Sequence, residues 1–162
     1  MIKKITFLFV LVLGLGTATA QNPTQFSDNA LNDTFVTTNG KEVSLSEILE
    51  QHRGKTILID VWASWCRDCL GGLPKVKKIQ SKHTDVVYVF LSLDKTMAAW
   101  KKAIKKHDIQ GQHYYMQSGW KGDFGAFLNL DWIPRYLVVD TKGNIALYKA
   151  TKASDKNIIK HL

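Results

Sequence analysis

Cysteine is nearly absent from this chain: among 162 residues there are two, Cys66 and Cys69. Two cysteines exclude a disulfide-stapled miniature fold, which needs several bridges. A structural zinc centre takes four ligands, commonly two cysteine pairs or one pair with two histidines. No second pair exists, and the five histidines, His52, His83, His107, His113 and His161, are scattered along the chain. Covalent haem attachment requires histidine directly after the second cysteine, and Leu70 stands there. A purely structural bridge between residues three apart closes too short a loop to gain much entropy. Redox exchange is the favoured use.

Long apolar runs are also missing, save one from Ile5 to Gly16. It follows Lys3 and Lys4 and leads into Ala18-Thr19-Ala20, a small-x-small pattern. At about 12 residues it is short of the roughly 20 that a membrane span needs. The pattern predicts a secretory signal over 1–20, with the mature chain starting at Gln21; an uncleaved anchor is the competing reading. Export makes the cysteine pair either lastingly oxidised or re-reduced by a dedicated partner. Acidic residues are outnumbered, 14 against 22 Lys and Arg, giving a formal net charge of +8, or +6 without Lys3 and Lys4. Such an excess can signal nucleic acid. Here Lys101, Lys102, Lys105 and Lys106 alternate with Met97, Trp100 and Ile104 at helical spacing, the solvated side of an amphipathic helix. No basic and aromatic residues interleave as a nucleic-acid platform demands.

What is present centres on Ile57-Leu58-Ile59-Asp60-Val61-Trp62-Ala63-Ser64-Trp65-Cys66-Arg67-Asp68-Cys69. An apolar, β-branched strand passes through a tryptophan-flanked corner into a helix whose first turn holds both cysteines. Free N–H groups and the helix dipole favour an anion there, and a thiolate is that anion. Asp60, Trp62, Trp65, the Cys66–Cys69 pair, Pro74, and Ile133-Pro134 before the strand Tyr136–Val139 together resemble the thioredoxin-like family. The resemblance implies an α/β fold, a mixed central sheet flanked by helices, with Pro134 a cis-proline facing the cysteines.

The rest of the chain fits that frame. Residues 21–34 read as a flexible polar arm and 35–162 as the domain, whose 45% hydrophobic content suffices for one core. Phe35 to Val43 predicts a hairpin with a type I′ turn at Asn39-Gly40. Ser44 or Ser46 caps a short helix, with Glu47 completing a capping box and Ile48 and Leu49 facing inward. Val86–Leu93 predicts a buried parallel strand, followed by a helix from Thr96 to His107 and a short strand over His113–Met116. Further on come a helix over 123–129 with Phe124, Phe127 and Leu128 inward, an antiparallel turn at Asp140–Asn144, and a last helix over 154–162 burying Ile158, Ile159 and Leu162. The N-terminal hairpin and the central αβ insertion resemble the TlpA/ResA branch of extracytoplasmic members.

From the resemblance follow roles. Cys66 is the nucleophile, Cys69 the resolving thiol, and Asp60 the buried carboxylate that takes the proton of Cys69, its pKa raised by desolvation. Helix N-termini and Cys-x-x-Cys settings bring a thiol from about 8.5 to roughly 3.5–7.5. Trp65 shapes the substrate surface and Ile133 offers its backbone to an extended substrate. Arg67 and Asp68 depart from the family's usual intervening pair; they push the potential in opposite directions. Gly71-Gly72 also departs, at roughly 1 kcal/mol each relative to alanine, which suits close packing or a less rigid helix. The implied activity is an exported, periplasmic thiol–disulfide oxidoreductase, a reductant of partner cysteines fed by a membrane electron donor, as in cytochrome c maturation. It needs no cofactor or metal beyond the Cys66–Cys69 pair. The alternatives are a dithiol oxidase or isomerase, or a Cu(I)-handling module.

Overall fold

The computed structural model describes residues 22–162, so the signal segment expected over 1–20 lies outside the described residues. Seven strands form one mixed sheet in the order β2-β1-β5-β4-β3-β6-β7. These are β1 (Thr34–Thr37), β2 (Glu42–Ser44), β3 (Ile57–Trp62), β4 (Val87–Ser92), β5 (Gln112–Tyr115), β6 (Arg135–Val139) and β7 (Ile145–Ala150). The helices are α1 (Asp28–Asn32), α2 (Leu45–Gln51), α3 (Arg67–Gln80), α4 (Met97–His107), α5 (Asp123–Phe127) and α6 (Lys156–Lys160).

β3 is the middle of the molecule. All six of its residues are buried. It runs parallel to β4, with Asp60 beside Phe90, and antiparallel to β6, with Asp60 opposite Tyr136. A strand buried on both faces needs a near-continuous apolar sequence, which Ile57-Leu58-Ile59 and Val61-Trp62 provide. Asp60 is the exception that β3 carries into the core. Between β4 and α5 lie α4 and β5, the central insertion, and β5 extends the sheet parallel to β4 while pairing antiparallel with β1.

The N-terminal arm is packed, against the expectation of a loose one. Ser27 caps α1, accepting from the Ala30 N–H, and Ala30 is fully buried. Phe26 is buried with its ring centroid 6.4 Å from Phe124 and 5.5 Å from Phe127. Asp33, also buried, then accepts from the Phe124 N–H at 2.8 Å and the Ser118 hydroxyl at 2.9 Å. Gly122 gives α5 no side-chain cap of its own, so Asp33 supplies one from a distance in sequence that no local pattern reveals.

Three smaller expectations are corrected. In the β1–β2 turn Gly40 alone takes positive φ, at 88°, and its N–H donates to the Thr37 carbonyl at 3.0 Å. This is a type I turn closing on a left-handed glycine rather than type I′. Its cause is local: the Thr37 hydroxyl contacts the Asn39 side chain and accepts from the Lys41 N–H. In α2 the buried pair is Leu45 and Ile48, Leu49 being half-buried, because the capping box at Ser44 and Glu47 starts the helix at Leu45. Helix α6 is a single turn capped by Asp155, too short for two inward positions, so Ile158 is buried while Ile159 is 42% exposed.

The packed arm makes Phe26→Ala a test. Emptying that aromatic contact is expected to lower stability by about 2–4 kcal/mol, read as a fall in the denaturant midpoint. A loosely held arm would give a change within about 0.5 kcal/mol.

Candidate active site

The corner after β3 is set by a carboxylate that the sequence reading did not single out. Asp94, buried just past the end of β4, accepts from the Ser64 N–H at 3.1 Å and from the Ser64 hydroxyl. Ser92 steadies it: the Ser92 hydroxyl donates to Asp94 Oδ2 at 2.9 Å and accepts from the Asp94 N–H at 3.0 Å. The signal was an acidic residue directly following an apolar strand, where backbone N–H groups of the next loop need an acceptor.

From that fixed corner the chain enters α3 with Cys66 as its N-cap. Cys66 Sγ accepts from the Cys69 N–H at 3.1 Å, where a serine or aspartate oxygen ordinarily sits. The two cysteines are joined as a disulfide and are 6% and 3% exposed. A hydrogen bond to the sulfur and the helix dipole both favour its anionic form. When the bond opens, charge on Cys66 is therefore better tolerated than charge on Cys69. The helix continues through Pro74, which forgoes one backbone hydrogen bond.

Opposite lies the segment between α5 and β6. The Ile133–Pro134 peptide is cis, and the Ile133 carbonyl oxygen stands 3.7 Å from Cys66 Sγ. Arg135, fully buried, fastens this segment by donating to the Leu128 carbonyl and to Asp131 Oδ1, each at 2.8 Å. Trp132 is thereby presented to solvent, 59% exposed, across from Trp65 at 52%. With Trp120, Ile133 and Asp131 they border an open groove of about 390 Å³ beside Cys66. Arg67 and Asp68 are exposed at its rim. Trp132 and Arg135 flank the Ile-Pro step and went unnoticed in sequence, although an aromatic residue before that step was visible.

Asp60 sits below, 4% exposed, with Oδ1 lacking any hydrogen-bond partner. Burial alone pushes its carboxyl up to about 8. Tyr136, across the strand pair, points its hydroxyl at Gly72 of α3: a Cβ on Gly72 would stand 3.1 Å from it and 3.6 Å from Ala153. Gly72 is thus closely packed, so that a Cβ there would ask the Tyr136 hydroxyl to give by a few tenths of an ångström, whereas Gly71 has open room around it. Directly opposed residues project from the same face of the sheet, so Asp60 also lies beneath α3. Cys66, Cys69, Trp65, Ile133 and Pro134 meet at one end of the sheet, with Asp60 behind them and Trp62 packed in the core. Among the described residues no cluster of three or more His, Cys, Asp or Glu is placed to hold a metal ion.

A central mixed sheet, a cysteine pair at a helix N-terminus and a cis-proline opposite it define a thioredoxin-like protein. The profile of the Thioredoxin-like family matches residues 54–145, more than half of the chain, and the chain belongs to that family. It is 26% identical over 101 residues to the thioredoxin-like protein YneN of Bacillus subtilis, covering 60% of this chain and 57% of the relative. It is 25% identical over 88 residues to the thiol-disulfide oxidoreductase ResA of Bacillus cereus, covering 53% and 49%. The chain thus spans about half the length of these relatives. The solution structure of a candidate thiol-disulfide oxidoreductase from Bacteroides vulgatus is similar at 31% identity over 90% of both chains, with a TM-score of 0.66. A thiol-disulfide oxidoreductase from Bacteroides fragilis shares the fold, with a TM-score of 0.67 at 21% identity over 83% of this chain and 99% of that one.

The raised carboxyl carries a pH signature. Between about 4, where an unfolded aspartate ionises, and about 8, the folded oxidised protein keeps a proton that the unfolded chain has lost. Stability is whole below pH 4 and falls as pH rises through that window. The upper bound is on the order of 5 kcal/mol, at about 1.36 kcal/mol per unit. The denaturant midpoint is expected to drop between pH 5 and pH 8, and Asp60→Asn to flatten the drop. An equally steep slope in the variant would place its origin elsewhere.

Proposed function

We propose that this chain is an exported thiol–disulfide oxidoreductase that reduces disulfides of partner proteins. The observation that carries the reading is Cys66 Sγ held as the N-cap of α3, 3.7 Å from a backbone carbonyl that faces the groove. The Cys66 thiolate attacks one sulfur of a client disulfide, forming a mixed disulfide and releasing the other client sulfur as a thiolate. Cys69 then gives its proton to Asp60 and attacks Cys66 Sγ. The second client sulfur leaves as a thiolate, so the client gains the two electrons that the pair loses. A carboxyl with its pKa near 8 suits that proton transfer at neutral pH. An external dithiol, on this reading a membrane electron donor, restores the reduced pair.

The groove fits a client segment in extended form, with Trp65 and Trp132 on either side and the backbone of Ile133 available for pairing. Pro134 keeps an N–H away from the sulfurs, since proline has none. The reducing direction rests on Asp60 and on Ile133 before the proline. Export and a periplasmic setting rest on the pattern of residues 1–20 and on the likeness to ResA. Cytochrome c maturation is a client process in keeping with that likeness.

The deciding measurement is the reduction potential of the Cys66–Cys69 pair, equilibrated against glutathione and dithiothreitol buffers. A reductant is expected at about −250 mV or below, whereas about −120 to −180 mV would make the protein a disulfide donor or isomerase. In parallel, Cys69→Ser is expected to accumulate a mixed disulfide through Cys66 and Cys66→Ser to abolish exchange. Stoichiometric Cu(I) binding without any exchange would favour a metal-handling role instead.

A further inference from the structure

Three buried polar atoms on the α3 face of the sheet lack hydrogen-bond partners: Asp60 Oδ1, Trp62 Nε1 and Tyr136 Oη. Buried polar groups are rarely left so, and each such orphan calls for an explanation. Asp60 and Tyr136 are direct cross-strand partners, a placement that brings Cβ atoms to about 4.5–5.5 Å. Tyr136 is 1% exposed, and its hydroxyl occupies the notch that Gly72 leaves in α3, one turn past Cys69. A helix glycine thus stands where a side chain would crowd the hydroxyl. Phenylalanine would fill the same ring site without the polar cost, so the hydroxyl needs a use.

We infer that the Tyr136 hydroxyl is the hydrogen-bond donor that steadies the Asp60 carboxylate during exchange, which makes Tyr136 a positioning residue for the proton acceptor. The inference rests on the function proposed above. The two atoms are not bonded in the oxidised structure, each lacking a partner; the bond is completed by rotation of the short Asp60 side chain or through one bridging water, which two unpartnered polar groups can hold. Burial pushes the Tyr136 phenol far up, and the neighbouring Asp60 pushes it further, so it stays a donor at every working pH. The other groups around Asp60 leave it this role. Phe90, its neighbour on β4, is apolar. The charged side chains of the elements on that face, Arg67, Asp68, Lys75, Lys77 and Lys78 of α3 and Lys156 and Lys160 of α6, are exposed. Cys69 is the proton's source, and Trp62, two residues along β3, offers the other donor. Tyr136 is favoured over Trp62 because it lies directly opposite Asp60 and because its hydroxyl packs against Gly72 on the helix that carries the cysteines.

The test is Tyr136→Phe, which keeps the ring and removes one oxygen. In the oxidised protein, where the cysteines do not titrate, the Asp60 carboxyl is followed by carbon-13 NMR. Loss of the donor is expected to raise its midpoint by about one unit, a tenfold change in proton affinity. In the reduced protein the rate of disulfide exchange near pH 7 is expected to fall several-fold, and the effect is expected to vanish in an Asp60→Asn background. An unmoved Asp60 titration, or a rate loss that persists undiminished beside Asp60→Asn, would overturn the inference. Failure of the wild-type protein to exchange disulfides would overturn the proposed function instead, while the carboxyl titration would still decide the Asp60–Tyr136 link.

Discussion

The arrangement depends on a sulfur taking the place of a capping oxygen. Cys66 Sγ receives the Cys69 N–H at the start of α3, so the helix begins where the reactive atom must be, and its unpaired N–H groups lend that atom their partial positive charge. Anything that shifted the first turn of α3 would lose both the cap and the reactivity. The molecule therefore spends polar interactions on holding that turn still. Asp94 fixes Ser64, two residues before the cap, and Arg135 fixes Leu128 and Asp131 on the facing wall. Both staples come from buried charged groups, whose removal leaves uncompensated partners behind and is costly for that reason.

Asp60 is a charge that the fold does not satisfy in the same way. Asp94 has several donors; Asp60 has an orphan oxygen and a carboxyl pushed up by burial. Two aspartates in similarly dry places are thus set for different work. One is a structural acceptor, and the other is poised to change its protonation state near neutral pH. In the proposed function, a satisfied Asp60 would be a better building block and a poorer proton acceptor.

The strand-to-helix core of the fold was legible in sequence because its signals are local. The apolar run of β3, the cysteine spacing and the Ser44–Glu47 capping box each act within a few residues. What escaped was set by distant partners. The segment before β1 looked polar and aperiodic, yet Phe26 finds Phe124 and Phe127 about a hundred residues away, and Asp33 caps a helix that lacks its own cap. The turn at Gly40 followed side-chain hydrogen bonds of Thr37 and Asn39 that dipeptide preference does not contain. At the site, Cys66, Cys69, Asp60 and Ile133-Pro134 were visible as residue types in known spacing. Asp94, Trp132 and Arg135 were not, because each acts on a residue brought close by the sheet.

Gly72 shows how a feature that is unfavourable locally becomes intelligible once packing is known. In an isolated helix it weakens the first turns of α3, and the sequence offers no compensation. In the folded protein the space it leaves holds the Tyr136 hydroxyl, and Tyr136 faces Asp60 across β3 and β6. The helix that carries the cysteines, the strand that carries the acid and the strand that follows the cis-proline are therefore linked through one phenol. Gly71 beside it meets nothing and has no such reason. The contrast between the two glycines separates a residue chosen for what stands above it from one whose neighbourhood leaves the choice open.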